Sequence, residues 1–397
     1  MTAAAIPESV RALFHAALPG WFRRHRRALP WRTRRTPYRV WISELMLQQT
    51  RVDQALPYYR RFLRRFPSLR SLARAPLQDV LKAWEGLGYY ARARHAHRAA
   101  RFLVAHRAGR FPRTLSGLAG LPGVGRYTAA AVGSLAMGLQ AAAVDGNVAR
   151  VLSRFFASRR VARSPAGRRW LERRAGQVIQ PGRAGESNEA LMELGATVCL
   201  PQAPRCSVCP LRPGCRAARE GDPRRYPARR RRRRVPHKVV GAGIVADARG
   251  RVLIAQRRET SMLGGLWEFP GGTRERGETM PACIRRELLE ELGIRTRVGG
   301  RLLVVRHAYS HFTIALHAHW ARIVRGRPRP LHCADFAWVT VKGLRKYPFS
   351  AADLRIVRAL EDRRGGWPVR LPGLPSPWPR GGRRSSSSSR PCTSGSP

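Results

Sequence analysis

Hydrophobic periodicity changes once along these 397 residues, and the change falls at a run of arginines. From about Pro7 to Ala218, apolar residues recur at helical spacing, as around Val40, Leu47 and Val52, with Pro or Gly punctuating short connections. From Val239 the period shortens to two. Val239–Ala246 and Val252–Gln256 read as strands joined by the turn Asp247-Ala248-Arg249-Gly250. A helix is predicted at Met280–Leu292, and further strands at Arg301–Arg306 and Phe312–Trp320. Between the two regimes lies Pro223–His237, with Arg229–Arg234 bracketed by prolines. Six like charges in a row repel one another and stay solvated, as a tether or a phosphate-gripping strap. After Gly365 the chain is rich in Pro, Gly and Ser and is expected to be disordered. The expected organisation is therefore multidomain, α then α/β: a helical domain at 1–222, a linker at 223–237, an α/β domain at 238–364 and a tail at 365–397.

The charge balance names a partner class. Lys and Arg number 76 against 24 Asp and Glu, a net charge of +52, which favours a polyanion such as nucleic acid. Lysine occurs only at Lys82, Lys238, Lys342 and Lys346. So strong a bias to arginine can also reflect genome composition, and the charge alone does not establish DNA binding. No continuous apolar run precedes the basic residues of Met1–Arg27, so no signal peptide is expected. Tyr127–Val144 lacks charge, but it is mostly Ala and Gly with Gln140 inside, and reads as a buried helix with its exit loop. Four of the seven cysteines fall in one window, Cys199-x6-Cys206-x2-Cys209-x5-Cys215. Such clustering argues for a metal site in a reducing compartment. Four thiolates can hold zinc or an iron–sulfur cubane.

Three further strings carry chemistry. In Pro37-Tyr38-Arg39-Val40-Trp41-Ile42-Ser43-Glu44-Leu45-Met46-Leu47-Gln48-Gln49-Thr50, Glu44 sits among Trp, Ile, Leu and Met, where desolvation raises a carboxyl pKa. Leu121-Pro122-Gly123-Val124-Gly125, followed by Arg126-Tyr127-Thr128, looks like a helix-hairpin-helix turn. Its glycines Gly123 and Gly125 let the backbone approach a phosphate. Asp145-Gly146-Asn147 follows about twenty residues later and supplies a second carboxylate. With the cysteine window and Trp84-Glu85-Gly86-Leu87-Gly88-Tyr89-Tyr90-Ala91-Arg92, these strings closely resemble the MutY-type adenine DNA glycosylases of the endonuclease III superfamily. The likeness runs from about Leu29 to Cys215 and more weakly to about Trp338.

That resemblance implies an all-α helix-hairpin-helix glycosylase with a 4Fe–4S loop at Cys199, Cys206, Cys209 and Cys215. It implies Glu44 as the general acid on a flipped adenine, and Asp145 as cation stabiliser or transient nucleophile, with Tyr127 and Asn147 assisting. Bifunctional relatives carry lysine where this chain has Tyr127. A phenol forms no Schiff base, so a monofunctional enzyme is expected. Gln49, Thr50, Leu87 and Tyr89 would wedge into the duplex beside the partner base, although plain packing also accounts for Leu87 and Tyr89.

In the second domain, Arg306-His307-Ala308-Tyr309-Ser310-His311-Phe312 resembles the MutY motif that recognises 8-oxoguanine opposite adenine, with Tyr309 in place of the usual Phe. Gly272-x5-Glu278-x7-Arg286-Glu287-Leu288-x-Glu290-Glu291-x-Gly293-Ile294 is a complete Nudix box, where MutY proteins usually have a degraded one. Glu287, Glu290 and Glu291 share a helix face that could bind Mg²⁺ if the box is active. The alternative is that Arg286 and the glutamates hold one another and the Gly272 loop. The expected enzyme is a cytoplasmic, nucleoid-associated monomer without membrane contact, acting on double-stranded DNA with A:8-oxoguanine or A:G mispairs. Two rivals remain: a Nudix pyrophosphatase fused to a helical DNA-targeting module, and a DNA-binding scaffold with a structural cluster.

Overall fold

In a computed structural model, residues 5–228 and 235–362 are described. The arginine run and the Ser-rich tail lie outside them. The described residues form two compact units: 5–228 and Val235 with Arg257–Trp267 and Lys346–Ala351, and Pro236–Gln256 with Glu268–Arg345 and 352–362.

The first unit is helical: α1 Glu8–His25, α2 Pro30–Thr33, α3 Pro37–Leu47, α4 Val52–Arg65, α5 Leu69–Arg74, α6 Leu77–Trp84 and α7 Ala91–Arg107. Then come α8 Leu115–Ala119, α9 Arg126–Met137, α10 Gly146–Phe155, α11 Pro165–Val178, α12 Ala184–Thr197 and α13 Arg216–Arg219. Their starts follow local chemistry. Thr36 caps α3 by accepting from the Arg39 N–H, with Pro37 at the first helical position, where its missing N–H costs nothing. The uncharged stretch from Tyr127 divides as expected, into α9 and an irregular exit segment that delivers Asp145 as the cap of α10. No helix among the described residues is long and apolar enough to cross a membrane.

Among the described residues, two apolar clusters of this unit stand out. One gathers Trp41, Phe62, Trp84, Ala96 and Val132 with α3 to α9. The other gathers Phe14, Leu18, Phe155, Leu171 and Leu191 from α1 and α10 to α12. Several side chains in each are fully buried, and each buried Leu or Phe contributes about 1.5–3 kcal/mol of transfer free energy.

The second unit has a four-stranded sheet in the order β4-β1-β6-β5 and a three-stranded sheet in the order β3-β2-β7. Its strands are β1 His237–Val245, β2 Arg251–Gln256, β3 Trp267–Glu268, β4 Gly271–Thr273, β5 Arg295–Ala308, β6 Thr313–Arg325 and β7 Asp335–Thr340. Helix α14 spans Met280–Leu292 and α15 Asp353–Glu361. β1 runs parallel to β6, pairing Gly241 with His317, and β5 runs antiparallel to β6, pairing Val305 with Leu316. Helix α14 begins at the Thr279 cap and ends at Gly293, whose φ of 68° is a left-handed stop. Its buried Ile284, Leu288 and Leu292 meet Val245, Leu253 and Ala321.

Candidate active site

The two clusters of the helical unit each contribute one carboxylate to a cleft of about 760 Å³. α3 carries Glu44 with one wall, and the start of α10 carries Asp145 with the other. Glu44 is buried, and Tyr127 of α9 donates its hydroxyl to the Glu44 carboxylate at 2.5 Å. Burial pushes the Glu44 carboxyl up to about 7, the Tyr127 hydrogen bond pulling it down and the nearby Asp145 and Glu189 charges pushing it up. Burial raises Asp145 too, but its oxygens accept from the Val148 N–H at 2.7 Å and the Asn147 side-chain amide at 2.8 Å. Those donors, at a helix start, favour the ionised form. The cleft thus holds two buried carboxyls, both shifted upward by burial, and at Asp145 the donors of the helix start offset part of that shift.

Gln49 and Thr50 line the same cleft, just past the end of α3. Tyr89 does not line it, but donates its hydroxyl to Gln49 Oε1 at 2.6 Å. Tyr89 is 38% exposed and in left-handed backbone, φ 51°. Leu87, in contrast, is buried in the first cluster, with its N–H bonded to the Trp84 carbonyl. Gly123 has φ 73°, and a Cβ there would meet His95 at 2.4 Å, so only glycine fits this turn. Gly125 caps α9.

Three supports have roles that the sequence did not announce. Buried Arg92 donates to the carbonyls of Leu45, Met46 and Gln48 and to that of Gly88, tying the end of α3 to the Gly86–Tyr89 loop. Asn188 accepts from the Ala143 N–H and donates to Ser134 and Ala141, fixing the segment that leads to Asp145. Arg32 pairs with Glu189 and Glu193 in the cleft wall. In so arginine-rich a chain, a buried guanidinium looks like any solvated one.

Cys199, Cys206, Cys209 and Cys215 line one cavity of about 30 Å³ with Arg154. Arg154 donates to the Cys199 sulfur at 3.4 Å and to the carbonyls of Leu200 and Pro201. Burial pushes the Cys209 thiol up to about 11. Among the described residues, no group of three or more His, Cys, Asp or Glu is arranged to hold a metal ion.

Comparison with known proteins follows this geometry. The HhH-GPD superfamily of base excision DNA repair proteins matches residues 42–173, and a NUDIX domain matches 241–359. An adenine DNA glycosylase of Rattus norvegicus is 33% identical over 89% of this chain and 79% of its own length. That of Homo sapiens is 33% identical, covering 89% and 75%. One from Schizosaccharomyces pombe is 30% identical, covering 87% and 89%. The chain belongs to the adenine DNA glycosylases. It is a DNA N-glycosylase of base excision repair, and DNA is what it binds.

In this adenine DNA glycosylase the second unit places Tyr309, Ser310 and His311 at the tip of the β5–β6 hairpin. The Tyr309 N–H bonds the Phe312 carbonyl at 2.8 Å, and the Tyr309 ring lies 5.0 Å from Phe312 and 4.6 Å from His307. Ser310 and His311 are exposed. On α14 the three glutamates do not act as one group. Arg286 pairs with Glu287 at 3.0 Å, Glu290 at 3.2 Å and Glu278 at 3.1 Å, whereas Glu291 accepts from the Gly271 N–H. A Cβ at Gly272 would lie 2.2 Å from the Glu287 carboxylate, so that loop packs directly on the helix.

Proposed function

We propose that the enzyme excises adenine mispaired with 8-oxoguanine or guanine, by acid-assisted departure of the base and attack by water. The observation that carries this reading is Glu44: a buried carboxyl raised to about 7, sharing a cleft with Asp145. Glu44 gives its proton to a ring nitrogen of the flipped adenine. As the glycosidic bond breaks, the sugar becomes cationic, and Asp145, held by Val148 and Asn147, stabilises it. Tyr127 orients Glu44 and, being a phenol, forms no imine with the sugar, which makes the enzyme monofunctional. Gln49, Thr50 and Tyr89 fill the gap left by the extruded base, while Leu87, buried in the first cluster, takes the packing role instead of the wedge. Gly123 and Gly125 present backbone to phosphate, and Tyr309, Ser310 and His311 read the opposite base.

The cysteines suit a 4Fe–4S cluster better than zinc. Structural zinc usually comes as two short CxxC knuckles, whereas this loop has one, Cys206-x2-Cys209. The four cysteines line one small cavity, beside the cations Arg150 and Arg154 that would offset a cluster's charge. When bound, the cluster supplies a structural tie and no reacting group. In the Nudix box, the ion pairs of Arg286 favour a structural role over Mg²⁺ binding by Glu287, Glu290 and Glu291. We assign the domain boundaries as 1–222, 223–237, 238–364 and 365–397, and the working form as a nucleoid-associated monomer.

Single-turnover adenine release from duplexes with A opposite 8-oxoguanine, G, C or T tests the reading. Fast release opposite the first two is expected, with no borohydride-trapped adduct. Equal rates on all four, or efficient trapping, would overturn it.

A further inference from the structure

Lys346–Ala351 belongs in sequence to the NUDIX match, yet packs within the helical unit. It is held there by its backbone. Lys82 donates to the Tyr347 carbonyl at 3.0 Å, Glu85 Oε1 accepts from the Phe349 N–H at 2.9 Å, and the Tyr90 hydroxyl donates to the Phe349 carbonyl at 3.1 Å. Lys82 and Glu85 also pair with each other at 2.7 Å. The Phe349 ring is fully buried, and the Trp267 N–H bonds the Pro348 carbonyl.

The residues that grip this segment flank the loop Gly86–Tyr89. One residue of that loop is strained: Tyr89 sits in left-handed backbone at φ 51°, whereas Gly86 and Gly88, at 90° and 77°, adopt positive φ without penalty. Such backbone persists only where its surroundings over-determine it. The Tyr90 hydroxyl accepts from the Gly86 N–H at 3.1 Å while donating to Phe349, so one phenol joins the loop backbone to the segment backbone. Behind Gly86, a Cβ would meet the Tyr58 hydroxyl at 2.6 Å, which leaves the loop no slack on that side.

We propose that Lys346–Ala351 is a brace that sets the position of the duplex-wedging loop, with Glu85 and Tyr90 as its positioning residues. The inference rests on the wedge role given above to Tyr89. Braced, the loop presents Tyr89 to the duplex already in its left-handed conformation; released, it must be ordered at each encounter. The cost falls on extruding a stacked adenine and not on cutting an adenine that is already unstacked.

The test compares single-turnover adenine release from an A·G pair in a duplex with release from the same pair inside a short unpaired bubble. Tyr90→Phe and Glu85→Ala should each raise the bubble-to-duplex rate ratio about tenfold, the scale of one lost buried hydrogen bond. Glu85→Gln keeps an acceptor for the Phe349 N–H and should recover most of the change. Parallel losses on both substrates, or an unchanged ratio with full-length folded protein, overturn the brace. Tyr89→Ala separates the two claims. If it shifts the ratio while Tyr90→Phe does not, the brace alone is wrong; if it leaves the ratio unmoved, the wedge reading fails and the brace with it.

Discussion

Glu44 shows how much of the chemistry lies in a few neighbours. Its apolar string already implied a desolvated carboxyl, and the structure adds the donor, Tyr127, and the second carboxylate, Asp145. A general acid must be protonated to act, and a group at about 7 loses its proton as pH rises through that value. Adenine release should therefore fall about tenfold per unit above pH 7 and level off below it. Glu44→Gln should cost about 10³-fold in single-turnover rate with duplex affinity retained. A flat pH profile, or a variant near the parent rate, would remove Glu44 from this role. What the sequence could not convey at this scale is support: Arg92 and Asn188 matter for the carbonyls they reach, which are distant in the chain.

Among the elements, legibility tracked the clarity of the ends. Met280–Leu292 is helical over the predicted span because Thr279 and Gly293 punctuate it. Strand β5 is longer than the predicted Arg301–Arg306, reaching from Arg295 to Ala308, because register shifts near Val298, Arg301 and Leu303 break the alternation that would reveal it. The hairpin turn makes its own prediction. Gly123→Ala places a methyl against His95 in left-handed backbone and should destabilise by about 2 kcal/mol or more, with weaker duplex binding. Gly138→Ala has a similar φ of 70° but open space, and should cost only about 1 kcal/mol. Equal thermal shifts for the two would mean that the His95 contact is irrelevant. For the cysteine loop, purified protein should carry about four irons per chain and lose them in Cys206→Ser. One zinc and no iron would refute the assignment.

Across the whole molecule, the change of hydrophobic period announced two architectures, and both are present. Neither period nor composition reveals that Arg257–Trp267 and Lys346–Ala351 pack with the helical unit, because a contact with a distant stretch leaves no local pattern. Leu266, fully buried in the first cluster, looks in sequence like any strand residue. Division of labour between the units is testable. Replacing both Ser310 and His311 by Ala should slow release opposite 8-oxoguanine at least tenfold more than opposite G, since each lost bond to the lesion is worth about 1 kcal/mol or more. Equal losses on both would make the hairpin tip structural.

The split of the active site between two apolar clusters bears on how the enzyme comes into being. Glu44 leaves the ribosome early, but Asp145 takes its place only when α10 packs with α1, α11 and α12, a cluster that draws on residues from Ile6 to Leu211. With the roles proposed above, a nascent chain has its acid before anything can steady the sugar cation. Base release would then wait for the whole helical unit to close, and an unfinished molecule would make no abasic sites.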